Sequence, residues 1–273
     1  MDTRPTSQTA HRPSPRRAPH AVVLALGLTL GLTLGLAICA LTPSPARAAD
    51  FVVAAASAVP ETYAPGTELT ADATLDLPAG ARLTLIARDG RMITLTGPHQ
   101  GPAATPGDGA APGTPRGGLL SGLKGLLAGE TARSSVLGAA RADAGDLPPP
   151  PGLWHMSADS SGPRCARPES FLLWRREAAH AVSVTLRSDN ARHADLVWPA
   201  GDNDLALPRD TLAGDGRLLV SLDGTMRDFQ VALRPADLAG AAPGALLAWM
   251  IDKGCNRQAL ALIARVHAGG SSD

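Results

Sequence analysis

Residues 81–102 read ARLTLIARDGRMITLTGPHQGP, and this stretch sets the fold class. Leu83, Leu85 and Ala87 alternate with their neighbours ahead of Asp89-Gly90, and Ile93 and Leu95 do so behind it. Apolar residues at every second position place one face of a strand against a core; a helix would repeat them every third or fourth. Asp-Gly between two such runs predicts a hairpin, because the tight turn needs a positive φ that glycine adopts without steric cost. Gly97-Pro98 stops the second strand. The hairpin is read as scaffold within a small β-meander over residues 49–100.

Working outward, residues 101–152 break the β pattern. The run GPAATPGDGAAPGTPRGG has no periodicity and reads as a loop. Leu119, Leu120, Leu123, Leu126 and Leu127 then share one face at helical spacing. That short amphipathic helix packs on the meander, or alternatively on a membrane or partner. Four consecutive prolines in DLPPPPG mark an extended linker. From residue 153 to 235, short runs such as AVSVTLRS, RLLVSLDG and DFQVALRP recur between Gly, Asp, Asn and Pro, which is the rhythm of an antiparallel β-sandwich-like region. Residues 236–268 form two short C-terminal helices, Ala245–Lys253 and Asn256–Val266, broken at Gly254, with Asn256 expected as an N-cap. The expected fold is therefore mainly β: meander, sandwich-like region and short terminal helices.

The ends bound the compartment. Arg4, Arg12, Arg16 and Arg17 precede an apolar run, AVVLALGLTLGLTLGLAICALT, followed by Ala46-Arg47-Ala48. This is the pattern of a signal peptide over residues 1–48, with cleavage near Ala48-Ala49. The run is also long enough to span a bilayer, so an uncleaved anchor is the alternative and the one route to a membrane. Ile38 before Cys39 argues against a lipoprotein signal, and Arg16-Arg17 lacks the apolar residues a twin-arginine signal needs. Removing five basic and one acidic residue from the 25 of each leaves 20 basic against 24 acidic. A chain without bulk positive charge is not expected to bind nucleic acid. Its two lysines, against many arginines, fit a GC-rich bacterial source. The expected location is periplasmic or secreted.

Cys165 and Cys255 are the cysteines that survive processing. An even pair in an oxidising compartment reads as a disulfide. Closing a loop of about 90 residues, it is worth roughly 3–5 kcal/mol in the chain-entropy model. Neither cysteine has a partner at zinc-ligand spacing.

Candidate sites are few. Arg164, Arg167, Arg175 and Arg176 gather near Cys165 and Trp174 and can recognise a phosphate or carboxylate, with Glu169 and Glu177 placed to pair with them instead. Trp154, Trp174 and Trp198 can stack on a sugar, although Trp174 and Trp198 suit a core better. The possible binding residues are thus Trp154, Trp174, Arg164 and Arg167. His180 and His193 with Asp195, and the acidic run Asp202, Asp204 and Asp210, fall short of metal-site spacing, so no metal or cofactor is expected. No G-x-S-x-G elbow, P-loop or H-E-x-x-H motif occurs, and no catalytic residue is assigned.

Two resemblances follow from quoted residues. TLDLPAGARLTLIARDGRMITLTGP, residues 74–98, resembles part of a FecR-type periplasmic β module, which implies a β unit of envelope or surface proteins. The chain also resembles a set of exported alphaproteobacterial proteins of uncharacterised activity, through Leu77-Pro78-x-Gly80, Gly97-Pro98, Cys165-x-Arg167-Pro168, Trp174-Arg175, Gly254-Cys255 and Gln258-Ala-Leu-Ala-Leu262. Three functions are set against each other. The first is a non-catalytic envelope module that binds or scaffolds another envelope or periplasmic protein. The second is a cell-wall or glycan-binding protein that needs an exposed tryptophan. The third is a hydrolase that needs a His–carboxylate pair in a pocket.

Overall fold

The computed structural model describes residues 50–103, 118–137 and 150–270. The signal-peptide reading of residues 1–48, most of the Gly/Pro-rich run and most of the proline linker fall outside these. Among the described residues no helix is long and apolar enough to cross a membrane.

The fold is mainly β, as expected. The first region holds β1 (Phe51–Ser57), β2 (Glu68–Leu69), β3 (Thr74–Leu77), β4 (Arg82–Ala87), β5 (Met92–Thr96) and β6 (His99–Pro102). Four of these form an antiparallel sheet in the order β2-β1-β4-β5, while β3 pairs with β6. The quoted hairpin is β4–β5, and Gly90 at its tip has φ 88°. Its first strand is buried on both faces, which one-sided alternation did not foretell. Phe51, Val53, Leu83 and Leu85 face the β3–β6 pair and share its core with Leu75 and Leu77. Val52, Ala54 and Ile86 face the other way, into a core made by helices.

Those helices are α1 (Leu119–Leu137), α2 (Pro243–Asp252) and α3 (Asn256–His267). Leu119, Leu123, Leu126 and Leu127 of α1 are buried in the helical core with Leu246, Leu247 and Met250 of α2 and Leu262 and Ile263 of α3. The apolar face of α1 is thus spent inside the protein, which corrects the alternative of a membrane or partner contact. Gly122 explains one of its helix-weakening glycines: a Cβ there would lie 2.8 Å from Ile251 Cγ2. Between α2 and α3, Gly254 takes φ 71°, as a residue past a helix end often must. The N-cap of α3 is Cys255, not Asn256, and it makes no side-chain capping bond.

The second region holds β7 (His155–Ser157), β8 (Gly162–Ala166), β9 (Leu172–Trp174), β10 (Val182–Arg187), β11 (Arg192–Trp198), β12 (Asp204–Ala206), β13 (Gly216–Leu222) and β14 (Thr225–Leu233). A five-stranded sheet in the order β11-β10-β13-β14-β8 and a three-stranded sheet, β12-β9-β7, enclose Met156, Leu173, Leu186, Trp198, Val220 and Phe229. Most pairs are antiparallel; β8 with β14 and β7 with β9 are parallel. Leu153, Trp154, Cys165 and Ala232 of this region reach into the helical core, so both β regions are packed on the same three helices.

Two contacts fasten the first sheet to the helices. At the hairpin tip, a Cβ on Gly244 would sit 1.5 Å from the Gly90 carbonyl oxygen, so α2 approaches the turn as closely as a bare Cα allows. At the other end, His267 Nδ1 lies 3.0 Å from Thr84 Oγ1 and its Nε2 3.1 Å from Ser57 Oγ, while Arg82 donates to the His267 carbonyl at 2.8 Å. Burial, and then the charge of Arg82, hold the His267 imidazole below the usual histidine range.

Gly244→Ala is expected to lower stability by about 1–3 kcal/mol through overpacking. Gly125→Ala, in open space on the same helical layer, should raise it by about 0.5–1 kcal/mol. Urea midpoints of the two variants should therefore move in opposite directions. The lowered His267 value gives a second expectation. Between the ordinary histidine value, about 6.5, and the lowered one, the unfolded chain binds more protons, so stability falls as pH falls through that window. His267→Gln should lose this component, read as a flatter dependence of the urea midpoint on pH between about 7.5 and 5.

Candidate functional site

A cleft of about 640 Å³ opens where α3 crosses the ends of β7, β8 and β9. Arg257, Ala261 and Arg265 line it from α3; four residues apart, they fall on one stripe, with the small Ala261 between two long cations. Trp174 and Leu153 meet it from below, and the loop carrying Asp159 and Ser160 closes one side.

What holds this wall is a paired fastening between α3 and β8. Cys165 and Cys255 form a disulfide, with Cα atoms 5.9 Å apart. Beside it, buried Gln258 accepts the Cys165 N–H at 2.7 Å and donates to the carbonyls of Cys165 (2.7 Å) and Leu153 (2.9 Å). Strand β8 is an edge of its sheet. The Gln258 amide occupies the donor and acceptor that Cys165 would otherwise leave open, in the place where another strand would pair.

Arg164 is buried, 5% exposed, over the Phe229 ring at 4.9 Å. It donates to the carbonyls of Ser157, Pro163 and Ser160 and to Ser160 Oγ. With most of its donors so committed, Arg164 clamps the β7–β8 loop while lining the cleft. Burial and the nearby charge of Arg257 lower its pKa to about 10. Arg175 repeats the recipe: it donates to the carbonyls of Asp202, His180 and Pro199, with the Trp198 ring 4.9 Å away. Neither arginine pairs with Glu169 or Glu177. Glu169 holds Arg234 at 3.0 Å, and Glu177 accepts the Ala179 N–H.

The tryptophans do not offer stacking surfaces. Trp154 is 3% exposed and lies in the helical core, with Arg167 and Arg234 over its ring at 5.7 and 5.3 Å. Arg167 therefore accompanies Trp154 away from the cleft. Trp174 is 2% exposed and meets the cleft only as part of its floor. Trp198 and Trp249 are buried too. Of the four expected binding residues, the structure brings Trp174 and Arg164 to the cleft and leaves Trp154 and Arg167 outside it. Arg257 and Arg265, which sequence reasoning passed over, supply the cations on the α3 side. Their four- and eight-residue spacing around Ala261 was visible, but nothing in the sequence said which face of α3 is open.

His155 lies at the cleft with Nε2 3.4 Å from Asp204 Oδ1. Its Nδ1 is buried and unpartnered, packed so closely on Gly152 that a Cβ there would lie 2.6 Å away. A His–carboxylate pair is thus present at the cleft, with Nε2 facing Asp204 and Nδ1 packed on Gly152. His193 approaches Asp210 at 3.3 Å without hydrogen-bond geometry. Among the described residues, no group of three His, Cys, Asp or Glu side chains is placed to hold a metal ion.

A second surface is the outer face of the five-stranded sheet. Cross-strand register puts Val197 opposite Ser183, Thr185 opposite Ser221, and Ser221 opposite Met226, all on that face. Val197 and Met226, 64% and 57% exposed, are the large apolar side chains left most open to solvent among the described residues. A bidentate Arg217–Asp228 pair, 2.9 and 2.6 Å, lies on the same face. No family model matches the chain, and neither a curated protein nor a solved structure matches it.

Gln258→Ala would strip three buried backbone groups of their partners and is expected to cost about 2–4 kcal/mol with the disulfide intact. Gln258→Glu should cost as much, because a carboxylate cannot donate to the two carbonyls. Urea titration under oxidising conditions checks both.

Proposed function

We propose that the protein is an exported envelope component that works as a non-catalytic interaction or scaffold module, periplasmic or secreted, with another envelope protein as its partner. The observation that carries this reading is the outer face of the five-stranded sheet. There Val197 and Met226 flank the short hydroxyl side chains of Ser183, Thr185 and Ser221. A flat face with small polar residues between two exposed apolar ones costs little to desolvate and gives a partner two anchors. The N-terminal basic–apolar–small pattern, the disulfide and the FecR-like stretch support the compartment.

The test is capture of the tagged protein after mild cross-linking in its native cell envelope, beside the double variant Val197→Glu, Met226→Glu. The expected result is one partner protein recovered in stoichiometric amount, with the tagged protein itself beginning at Ala49 or Asp50. Its recovery should fall by roughly tenfold or more in the variant, the loss of about 1–2 kcal/mol per apolar anchor. Recovery of peptidoglycan or polysaccharide in place of a protein would transfer the reading to a glycan binder. Equal protein recovery from the variant would remove the sheet face from the account.

A further inference from the structure

The cleft between α3 and β8 carries an inference that goes beyond the interaction module. Its volume, about 640 Å³, falls within the range of about 300–1,000 Å³ typical of small-molecule sites. Its floor is apolar and its walls are cationic: Trp174, Leu153 and Ala261 against Arg164, Arg176, Arg257 and Arg265. Two carboxylates, Asp159 and Glu177, share the lining. Asp159 lies 3.7 Å from Arg176 and accepts the Arg176 backbone N–H, and Glu177 accepts the Ala179 N–H.

The positive charge at the far side is balanced differently. Ser160 binds two guanidinium groups at once: Arg164 Nη2 donates to its hydroxyl at 3.2 Å, and Arg257 Nη1 donates to the same oxygen at 2.8 Å. One neutral hydroxyl thus holds two like charges together. Among the described residues no carboxylate lies within ion-pair distance of either. Burial and the charge of Arg257 both act against the Arg164 cation, and the nearby charge of Asp159 offsets only part of that. An anion placed beside the pair would offset that repulsion where water is partly excluded. Most of the N–H groups of Arg164 already go to loop oxygens. Arg257 is exposed, and Ser160 takes one of the five N–H groups of its guanidinium. The remaining fork has the geometry that carboxylates and phosphates accept in bidentate fashion. Nor does an extended peptide add to the wall as a strand, since Gln258 already occupies the β8 edge at Cys165.

We infer that this cleft binds a small amphipathic anion, a carboxylate or phosphate monoester on an apolar body, with its head group on Arg257 and its body along Ala261 and Pro163, above the floor that Trp174 and Leu153 form. Arg164 sets the field and Arg257 makes the contact. The head group can come from a fatty acid or from a phosphate ester; the shared chemistry is one anion joined to one apolar chain.

Isothermal titration of the purified, oxidised protein with octanoate, octyl phosphate, octanol and inorganic phosphate tests this. Saturable binding of octanoate or octyl phosphate is expected, and the tighter of the two identifies the head group. Octanol and inorganic phosphate, each lacking half of the ligand, should bind more weakly by roughly tenfold or more. Arg257→Gln should weaken the preferred anion by roughly ten- to a hundredfold, the worth of a charge-assisted hydrogen bond. Its urea midpoint should match the wild type, since the side chain is exposed. Absence of saturable binding by both anions would overturn the inference. So would equal binding of octanol, or an unchanged affinity in Arg257→Gln. The sheet-face variant Val197→Glu, Met226→Glu should bind the anion as the wild type does, so the outcome is independent of the partner experiment.

Discussion

The attachment of α3 to β8 is the constraint on which the rest of the molecule leans. A covalent bond and a buried amide act at the same place, Cys165. The disulfide acts mainly by limiting the unfolded chain, and Gln258 acts by satisfying backbone groups that an edge strand would otherwise bury unpaired. Once α3 is fixed there, its inner face, Leu262 and Ile263, completes the helical core, and its C-terminal end reaches β4 through His267. Its outer stripe becomes the cleft wall. The two β regions share few direct contacts of their own in this scheme; they are held by packing on common helices.

Arginine plays an unusual share of the structural work. Arg164 and Arg175 are buried without carboxylate partners, each set against an aromatic ring and supplied with several carbonyl oxygens. Carbonyl dipoles cost less to desolvate than a carboxylate, and a weakly hydrated planar guanidinium accepts both the dipoles and the ring. The arrangement keeps a loop in place while leaving the cation without an ion-paired carboxylate. At Arg175 that charge faces the interior. At Arg164 it lies beside a cleft.

Much of this architecture was legible beforehand. The Asp89-Gly90 turn, the strands from Leu172 to Leu233, the break at Gly254 and the cysteine pair all announce themselves through period, turn chemistry or compartment. Strand β1 was missed, although FVVAAAS is an apolar run; with both faces buried it shows no alternation to read. Strand β7 was missed because it is only three residues long, and β8 because it opens on Gly162-Pro163. Gly244 and Gly152 carried no signal either, since what they accommodate, the Gly90 carbonyl and the His155 ring, is distant or lies on a strand not foreseen. The arginine cluster was visible as a cluster. Which of its members binds loops and which faces solvent depends on carbonyl positions that only the folded backbone defines.

The contact between Ser57 and His267 joins the first strand of the described chain to its last helix. Synthesis proceeds from the N-terminus, so β1 exists long before its partner does. The cover over Val52 and Ala54 can be begun by α1 but is completed only when α2 and α3 have been made, much later in order of growth. Pairing of β1 with β4 is available early, yet one face of that sheet stays only partly covered until the last helices are made. The protein is therefore completed from its tail: a chain lacking the final dozen residues would keep every strand and still present an unfinished surface, one suited to recognition by a chaperone or protease that screens for truncated products.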